Sequence, residues 1–315
     1  MTSNKQLGIF SLPVIVAALG YFVDIYDLLL FTIVKKTSML GVGATEATLL
    51  VDSTRVINWQ MTGLLLGGII WGVLADKKGR LSVLFGSIIL YSTANFATGF
   101  VTTVDQYAWA RFIGGLGLAG ELGAGITLVS ELLPKNKRGI GTSLVAGIGL
   151  FGAVAAYFTY QYTQDWRLCY KIGGVLGICL LLLRVKVAES GMFATAKASE
   201  VVKGNFFMLI NNGKRFKKYL VAILIGLPTW YVIGILLNQS DRFGKAMFNS
   251  TTIDSGRAIM FGYVGIAVGD ILIGFVSQYF KSRKKALLLF YGLTMLGLLF
   301  YYSNYNNSDT TMYLV

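Results

Sequence analysis

The sequence contains no histidine, the side chain used most often for metal binding and for acid–base catalysis near neutral pH. Its two cysteines, Cys169 and Cys179, lie in one apolar segment, so neither a zinc site nor a disulfide framework is indicated. No G-x-x-x-x-G-K-[ST] loop is present, which argues against ATP-driven pumping. Without a nucleophile motif as well, an enzyme is the least supported class, and we expect no catalytic residues, no cofactor and no metal.

Charge is also scarce, at 14% of the residues, whereas 55% are hydrophobic. A soluble domain carries more charge than this. Apolar stretches of about 20 residues recur along the chain, and each is long enough to cross a hydrocarbon core of about 30 Å as a helix. The N-terminal stretch is too long for a removable signal peptide and lacks a cleavage site. The sequence therefore predicts an all-α, multi-pass membrane protein.

The apolar pattern predicts nine membrane-spanning helices, and the chain ends in "TMYLV", which reads as the start of a tenth. The nine helices are expected near residues 8–34, 56–75, 81–103, 107–133, 140–161, 166–187, 218–239, 257–280 and 286–303.

Lysine and arginine are concentrated in alternate connections between these helices. The richer set contains Lys5, the Lys77–Arg80 turn, the loop from Lys135 to Arg138, the stretch from Arg184 to Lys218, and the turn from Lys281 to Lys285. The positive-inside rule then predicts a cytoplasmic N-terminus, and we expect a bacterial inner (plasma) membrane. The net charge of +13 is explained by this topology, so we expect no nucleic-acid partner.

Two similar segments indicate an internal repeat. "GVLADKKGRLSVL" begins at Gly72, and a weaker copy, "GFVSQYFKSRKKALL", begins at Gly274 with Gln278 in place of the acidic residue. The spacing predicts two helical halves and would place the end of a complete second half at about position 390. The expected domains are a six-helix half over 1–189, a cytoplasmic interdomain loop over 190–217 and an incomplete half over 218–315. The chain is then either a fragment or a truncated gene product.

Several motifs resemble the major facilitator superfamily of secondary transporters. "GVLADKKGR" is similar to its signature loop between helices two and three. "RFIGGLGLAGELGAGITLVSELLPKNKRG" resembles the fourth helix of its metabolite:proton, aromatic-acid:proton and sugar-porter branches, and "DWRLCYKIGG" with "ESGMF" resembles their sixth helix. The resemblance implies a major facilitator type helical bundle whose first six-helix half is complete and whose second half is truncated after about three helices. The fifth helix lacks the Gly-Pro pair of the antiporter signature, which argues against drug efflux.

Ionisable residues inside spanning helices cost about 2.5–3.5 kcal/mol each, so they are candidates for function. Asp24 and Asp27 share one face of helix one. Arg111 and Glu121 lie in helix four, about 15 Å apart along its axis, and Asp270 in helix eight belongs to no motif. The resemblance to the sugar-porter branch implies that Asp27 pairs with Arg111 and that protonation releases the pair. We expect proton coupling by Asp27 foremost, with Asp24 and Glu121 also involved; the alternatives are a fixed ion pair between helices one and four and, for Glu121, a hydrogen bond across a helix interface.

Aromatic residues supply candidate substrate contacts. They are Tyr26 in helix one and the pair Trp230 and Tyr231, which follows Pro228 in a helix that lines the central cavity in the superfamily. The alternative is packing or anchoring at the membrane interface.

A second set of charged residues is expected at the cytoplasmic side. By resemblance it forms a salt-bridge latch that closes in one conformation and breaks in the other; the alternative is a topology signal with helix capping. The set consists of Asp76, Arg80, Glu131, Arg138 and Glu189.

The sequence thus predicts a proton-coupled symporter that imports a small hydrophilic metabolite by alternating access. An organic acid is the first choice of substrate and a sugar or polyol the second. The alternative from another class is a membrane sensor that binds ligand without transporting it. The expected partners are the substrate, protons and the lipid bilayer, and we expect a monomer.

Overall fold

The structure is a computed structural model that describes residues 10–78, 80–133, 138–189, 207–248 and 253–303 together with Tyr313. These ranges are helical with short connections. The helices are α1 Leu12–Gly41, α2 Leu49–Lys78, α3 Arg80–Thr98, α4 Val104–Leu132, α5 Arg138–Thr163, α6 Trp166–Glu189, α7 Phe207–Ile210, α8 Gly213–Tyr231, a π-helix Val232–Leu237, α9 Ser240–Phe248, α10 Ser255–Tyr279 and α11 Arg283–Ser303.

The all-α prediction is confirmed, and the nine predicted spans correspond to α1 to α6, α8 with the π-helix, α10 and α11. Seven helices in the described part of the chain are long and apolar enough to cross a membrane. Of the other two, α3 has a shorter apolar run, Ser82–Thr98, and α4 carries Asp105, Arg111 and Glu121 within its first 18 residues. The predicted tenth helix lies outside the described residues except for Tyr313.

The first helix continues beyond its predicted end. It starts after Ser11 with a proline in its first turn, where a missing N–H costs nothing, and it runs through Lys35 to Gly41. Gly43 then adopts a φ of 95°, which a residue without Cβ reaches without strain. A charged residue suggested a loop at position 35, but the Lys35 side chain is 6% exposed and bonded within the protein.

Helices α1 to α6 form one bundle in which α1 is the most buried. This helix contacts α4, α5 and α6, while α2 and α3 flank α4. At Gly152 of α5 a Cβ atom would lie 2.0 Å from the carbonyl oxygen of Phe22, so the two backbones touch directly. Most of the core lies here, and 72% of the most apolar 18-residue segment of α1 is buried inside the protein.

The last three spanning helices lie beside this bundle. α10 packs along α5 and against α1, whereas none of the described residues of α8 is buried. Pro228 removes one main-chain donor within α8, and four residues later the helix widens into the π-helix. The membrane helix is therefore distorted beyond Pro228 but continues.

Candidate functional site

Five charged side chains are buried among the first six helices and form what we call the charge cluster. Each is at most 6% exposed. The cluster consists of Asp24 and Asp27 on α1, Arg111 and Glu121 on α4, and Arg184 on α6. With every group ionised, it holds three negative and two positive charges, so one carboxylate is in excess.

Arg111 connects four other helices to α4. Its Nη2 donates to the main-chain carbonyl of Asp27 (2.9 Å), its Nη1 to Asn95 Oδ1 (2.6 Å) and its Nε to Gln60 Oε1 (3.3 Å). The guanidinium also lies 5.2 Å from the centre of the Tyr170 ring. Each of the three guanidinium nitrogens thus donates to an oxygen of the protein, and Arg111 is 1% exposed, so in this arrangement it is withdrawn from solvent.

The Asp27 carboxylate is close to Arg111 but does not bond to it as expected. The arginine contacts the carbonyl of this residue, and neither carboxylate oxygen has a hydrogen-bond partner among the described residues. A Cβ added at Gly173 of α6 would lie 2.2 Å from Asp27 Oδ1, so the carboxylate occupies the space that this glycine leaves free. The group is held between α1 and α6, and the side chains of Arg111 and Asn95 are its polar neighbours.

A second part of the cluster lies further along α1. Arg184 forms an ion pair with Glu121, and the pair rests against Gly20. Asp24 lies one helical turn beyond Gly20, within electrostatic range of both members of the pair. The hydroxyl of Tyr91 on α3 is buried in the same region and has no hydrogen-bond partner among the described residues.

The cluster approaches the last three helices through Tyr21. This side chain packs on Gly149 of α5 and lies within electrostatic range of both Asp24 and Asp270 of α10. Asp270 therefore faces the first six helices, although no motif marked it.

The two sets of helices are also joined where α1 ends, which we call the Lys35 end of the bundle. Lys35 Nζ donates to the carbonyl of Asn238 (2.9 Å) and lies 3.4 Å from Asp241 Oδ1. Ser255 Oγ, at the start of α10, donates to the same carboxylate oxygen (2.8 Å). One buried lysine on α1 is therefore bonded to the π-helix end and to α9.

The sequence and fold comparisons decide the family. The profile described as Major Facilitator Superfamily matches residues 14–315. The chain belongs to the major facilitator superfamily. Its closed six-helix bundle followed by three more spanning helices agrees with the helical architecture expected for this family.

Superfamily relatives cover different shares of the chain. The niacin transporter NiaP of Acinetobacter baylyi is 31% identical over 192 residues, 59% of this chain and 43% of that protein. The 3-(3-hydroxy-phenyl)propionate transporter of Escherichia coli is 33% identical over 239 residues, 73% of this chain and 57% of that one. The sialic acid transporter NanX of E. coli is 25% identical over 307 residues, which are 90% of this chain and 74% of that protein. The chain thus spans between 43% and 74% of the length of these relatives.

Solved superfamily structures share the fold. The proton:xylose symporter XylE of E. coli, bound to 6-bromo-6-deoxy-D-glucose, matches with a TM-score of 0.65 at 16% identity over 85% of this chain and 69% of that one. The human organic anion transporter MFSD10 matches with 0.63 at 12% identity over 84% and 72%. At these identities the likeness shows the superfamily fold.

The candidate substrate contacts are placed differently from one another. Tyr26 is buried and its hydroxyl donates to the Cys169 carbonyl (3.1 Å), so it faces α6. Trp230 is exposed, as is Tyr231, whose hydroxyl lies 3.3 Å from that of Tyr302. The latter two sit directly before the π-helix, a type of distortion frequent at functional sites.

The predicted cytoplasmic latch falls largely outside the described side chains. Asp76 lies exposed in the last turn of α2. For the other four members, Arg80, Glu131, Arg138 and Glu189, the structure describes a helical backbone but not the side chain. The latch therefore stays a prediction.

Sequence reasoning missed two members of these networks. Arg184 was counted with the basic stretch that follows helix six, and Lys35 with a loop. A signal was present for Arg184, because it interrupts the apolar run "LLLLRVKV" in the same way as Arg111 interrupts helix four. Among the residues that the structure describes, no group of three or more acidic or cysteine side chains is placed to hold a metal ion.

Proposed function

We propose that the protein is a proton-coupled symporter that imports a small hydrophilic metabolite, an organic acid, by alternating access. The observation that carries this is the charge cluster with its one excess carboxylate. Buried charge is costly in a membrane protein unless it is balanced. One bound proton neutralises the cluster and its release leaves a negative charge, which is the property that a proton-coupled transporter needs.

Asp27 is the leading proton-exchanging group in this proposal. Its carboxylate makes no short hydrogen bond among the described residues and has Asn95 and Arg111 as polar neighbours, while Arg111 is fixed by three neighbouring oxygens. A displaceable proton is easier to accommodate on a carboxylate that is not held in an ion pair. Arg111 then acts as the stationary positive charge beside the site rather than as the partner that is released.

The substrate class is supported by the relatives. Two of them are named as transporters of sialic acid and of 3-(3-hydroxy-phenyl)propionate, both acids. Trp230 and Tyr231 beside the π-helix are the proposed aromatic contacts. An N-terminus on the cytoplasmic side of a bacterial inner membrane, and a monomer, complete the proposal.

Proteoliposomes containing the protein test it directly. External pH is recorded while niacin, sialic acid, 3-(3-hydroxyphenyl)propionate or xylose is added, for the wild type and Asp27→Asn. We expect an acid to cause external alkalinisation in the wild type as protons enter with it. The ratio of proton movement to counterflow of the labelled acid should be lost in Asp27→Asn, because an amide does not exchange a proton.

Asp105→Asn is the matched control. Asp105 is an exposed carboxylate on the same helix as Arg111, paired with Arg55 at 2.8 Å, and its removal should leave the ratio unchanged. If an acid binds but neither the acid nor protons move across the membrane, the protein is a sensor and the symporter proposal is wrong. Alkalinisation with xylose alone would move the substrate class to sugars.

A further inference from the structure

We propose that Arg184 is a positioning residue for proton transfer, whose guanidinium alternates between Glu121 and Asp24. These two carboxylates then form the second station of a proton path that begins at Asp27. The inference rests on the proposed proton-coupled function and adds a residue and a step to its site.

The first support is the place of the Arg184–Glu121 ion pair. Both side chains are buried, at 7% and 2% exposed. A Cβ added at Gly20 would lie 2.1 Å from Arg184 Nη2 and 2.5 Å from Glu121 Oε1. The pair therefore lies directly on the backbone of α1, in a space that exists because residue 20 has no side chain.

The second support is Asp24, which has no bonded partner although it is next to the pair. It follows Gly20 by four residues, so both lie on one face of α1, one turn apart. It is 1% exposed, and neither carboxylate oxygen has a hydrogen-bond partner among the described residues. A guanidinium carries five donors on a long flexible stem, so Arg184 can serve Asp24 after a small shift.

Other titratable and charged groups face this pair of carboxylates from the packed helices. They are Tyr21 and Asp27 on α1 and Tyr91 on α3. Arg111 on α4 lies behind Asp27, and Asp270 on α10 lies behind Tyr21. The buried Tyr91 hydroxyl has no hydrogen-bond partner among the described residues. A phenolic hydroxyl can both donate and accept a hydrogen bond.

The proposed step keeps the net charge constant. In the observed arrangement Arg184 is paired with Glu121, and the proposed step starts with the proton on Asp24. The O–H bond of Asp24 breaks, the same proton forms an O–H bond on Glu121, and the guanidinium moves its N–H donors from Glu121 to Asp24. The three groups sum to zero before and after, so no net charge is created in a medium of low dielectric constant.

The order of the groups along α1 gives the path a direction. Asp27, Asp24 and the level of Gly20 follow one another over seven residues, which is about 10 Å at 1.5 Å per residue. Since α1 ends at the Lys35 end of the bundle, the path runs from Asp27 away from that end. Arg184 lies at its far end, near the C-terminus of α6.

The test compares wild type, Arg184→Gln, Arg184→Lys and the double variant Arg184→Gln with Glu121→Gln in proteoliposomes. The readout is the ratio of uptake driven by an imposed pH gradient to counterflow of the transported acid, measured across external pH. We expect the ratio to be lost in Arg184→Gln and still lost in the double variant, although the double variant returns the cluster to the wild-type excess of one carboxylate. Arg184→Lys, which keeps a mobile cation, should restore it.

Arg167→Gln is the matched control on the same helix. Its guanidinium donates to the Val101 carbonyl (3.0 Å) and lies 4.2 Å over the Trp166 ring, away from the cluster. This variant should keep the wild-type ratio and its pH profile.

A wild-type ratio in the double variant would overturn the inference, because Arg184 would then only neutralise Glu121. If Arg184→Gln does not fold, the double variant, which has the wild-type net charge in the cluster, still decides the question. Loss of the ratio in Asp27→Asn with an unchanged ratio in every Arg184 variant would overturn this inference and leave the proposed function intact. A wild type without gradient-driven uptake would overturn both.

Discussion

The first spanning helix and the seventh are similarly apolar but have opposite surroundings. In α1, 72% of the most apolar 18-residue segment is buried inside the protein. In the helix Gly213–Leu237, only 11% of the corresponding segment is buried. The buried helix carries Asp24, Asp27 and Lys35, and the exposed one has its charges in its first turns. Hydropathy thus reports whether a helix can lie in a membrane, and it does not report which groups cover it.

The difference teaches where polar chemistry can be placed in this fold. Lipid cannot satisfy a charge, so ionisable groups persist where other helices supply partners. The first six helices surround α1 and provide such partners, while α8 and α11 expose most of their side chains. Substitutions should therefore have unequal consequences in the two regions, and three experiments examine this.

The largest effect is expected from Arg111→Met in the buried region. The substitution leaves the oxygens of Asn95 and Gln60 and the Asp27 carbonyl without their donor, and breaking such a buried network costs about 3–5 kcal/mol. Size-exclusion chromatography and thermal unfolding in detergent should show little folded protein. Arg55→Met, which removes an exposed partner of Asp105, should behave like the wild type because surface pairs contribute about 0–1 kcal/mol. Equal stability of both variants would contradict the assigned network.

An intermediate effect should separate two glycines, one from each region. At Gly152 a new Cβ meets the Phe22 carbonyl oxygen, a main-chain atom that cannot rotate away, and overpacking of this kind costs about 1–3 kcal/mol. At Gly265 on α10 an added Cβ would meet no neighbouring atom within 4 Å in the described part of the chain, so alanine should stabilise the helix by up to about 1 kcal/mol. Thermal midpoints of Gly152→Ala and Gly265→Ala should fall on opposite sides of the wild type. The reverse order would show that the α1–α5 contact is looser than described.

The smallest effect concerns the bond between the two regions. A double-mutant cycle of Lys35→Met and Asp241→Asn should give a coupling of about 1 kcal/mol, since Asp241 is partly exposed and its contribution is screened. The comparison is the neighbouring exposed pair Lys36 and Glu46, 3.1 Å apart, for which Lys36→Met and Glu46→Gln should show no measurable coupling. Similar couplings in the two cycles would mean that burial of Lys35 adds nothing.

Sequence alone predicted the nine helices because most of them are set by a local apolar run. It placed helix ends wrongly where charged residues lie within a helix. The second span was expected from residue 56 but begins at Leu49, since Asp52 and Arg55 are tolerated near a helix end and Arg55 finds Asp105 on α4. The first span was expected to end before Lys35, whose partners lie about 200 residues later and cannot be read from a local pattern.

The candidate site was predictable in part for the same reason. Asp24, Asp27, Arg111 and Glu121 were identified as interior charges, and the structure buries all four. Their pairing was not predictable, because it depends on which helix faces meet. Arg111 binds a main-chain carbonyl instead of the expected carboxylate, and Glu121 binds Arg184, which a count of loop charges had assigned to the cytoplasm.

The continuity of α1 has a mechanical consequence. It is a single helix from Leu12 to Gly41 with no proline after its first turn. Gly20 contacts the Arg184–Glu121 pair, and Lys35 bonds to the second set of helices. Both residues therefore lie on one continuous helix, about 22 Å apart. A tilt or rotation at one point is transmitted to the other without any loop or hinge between them.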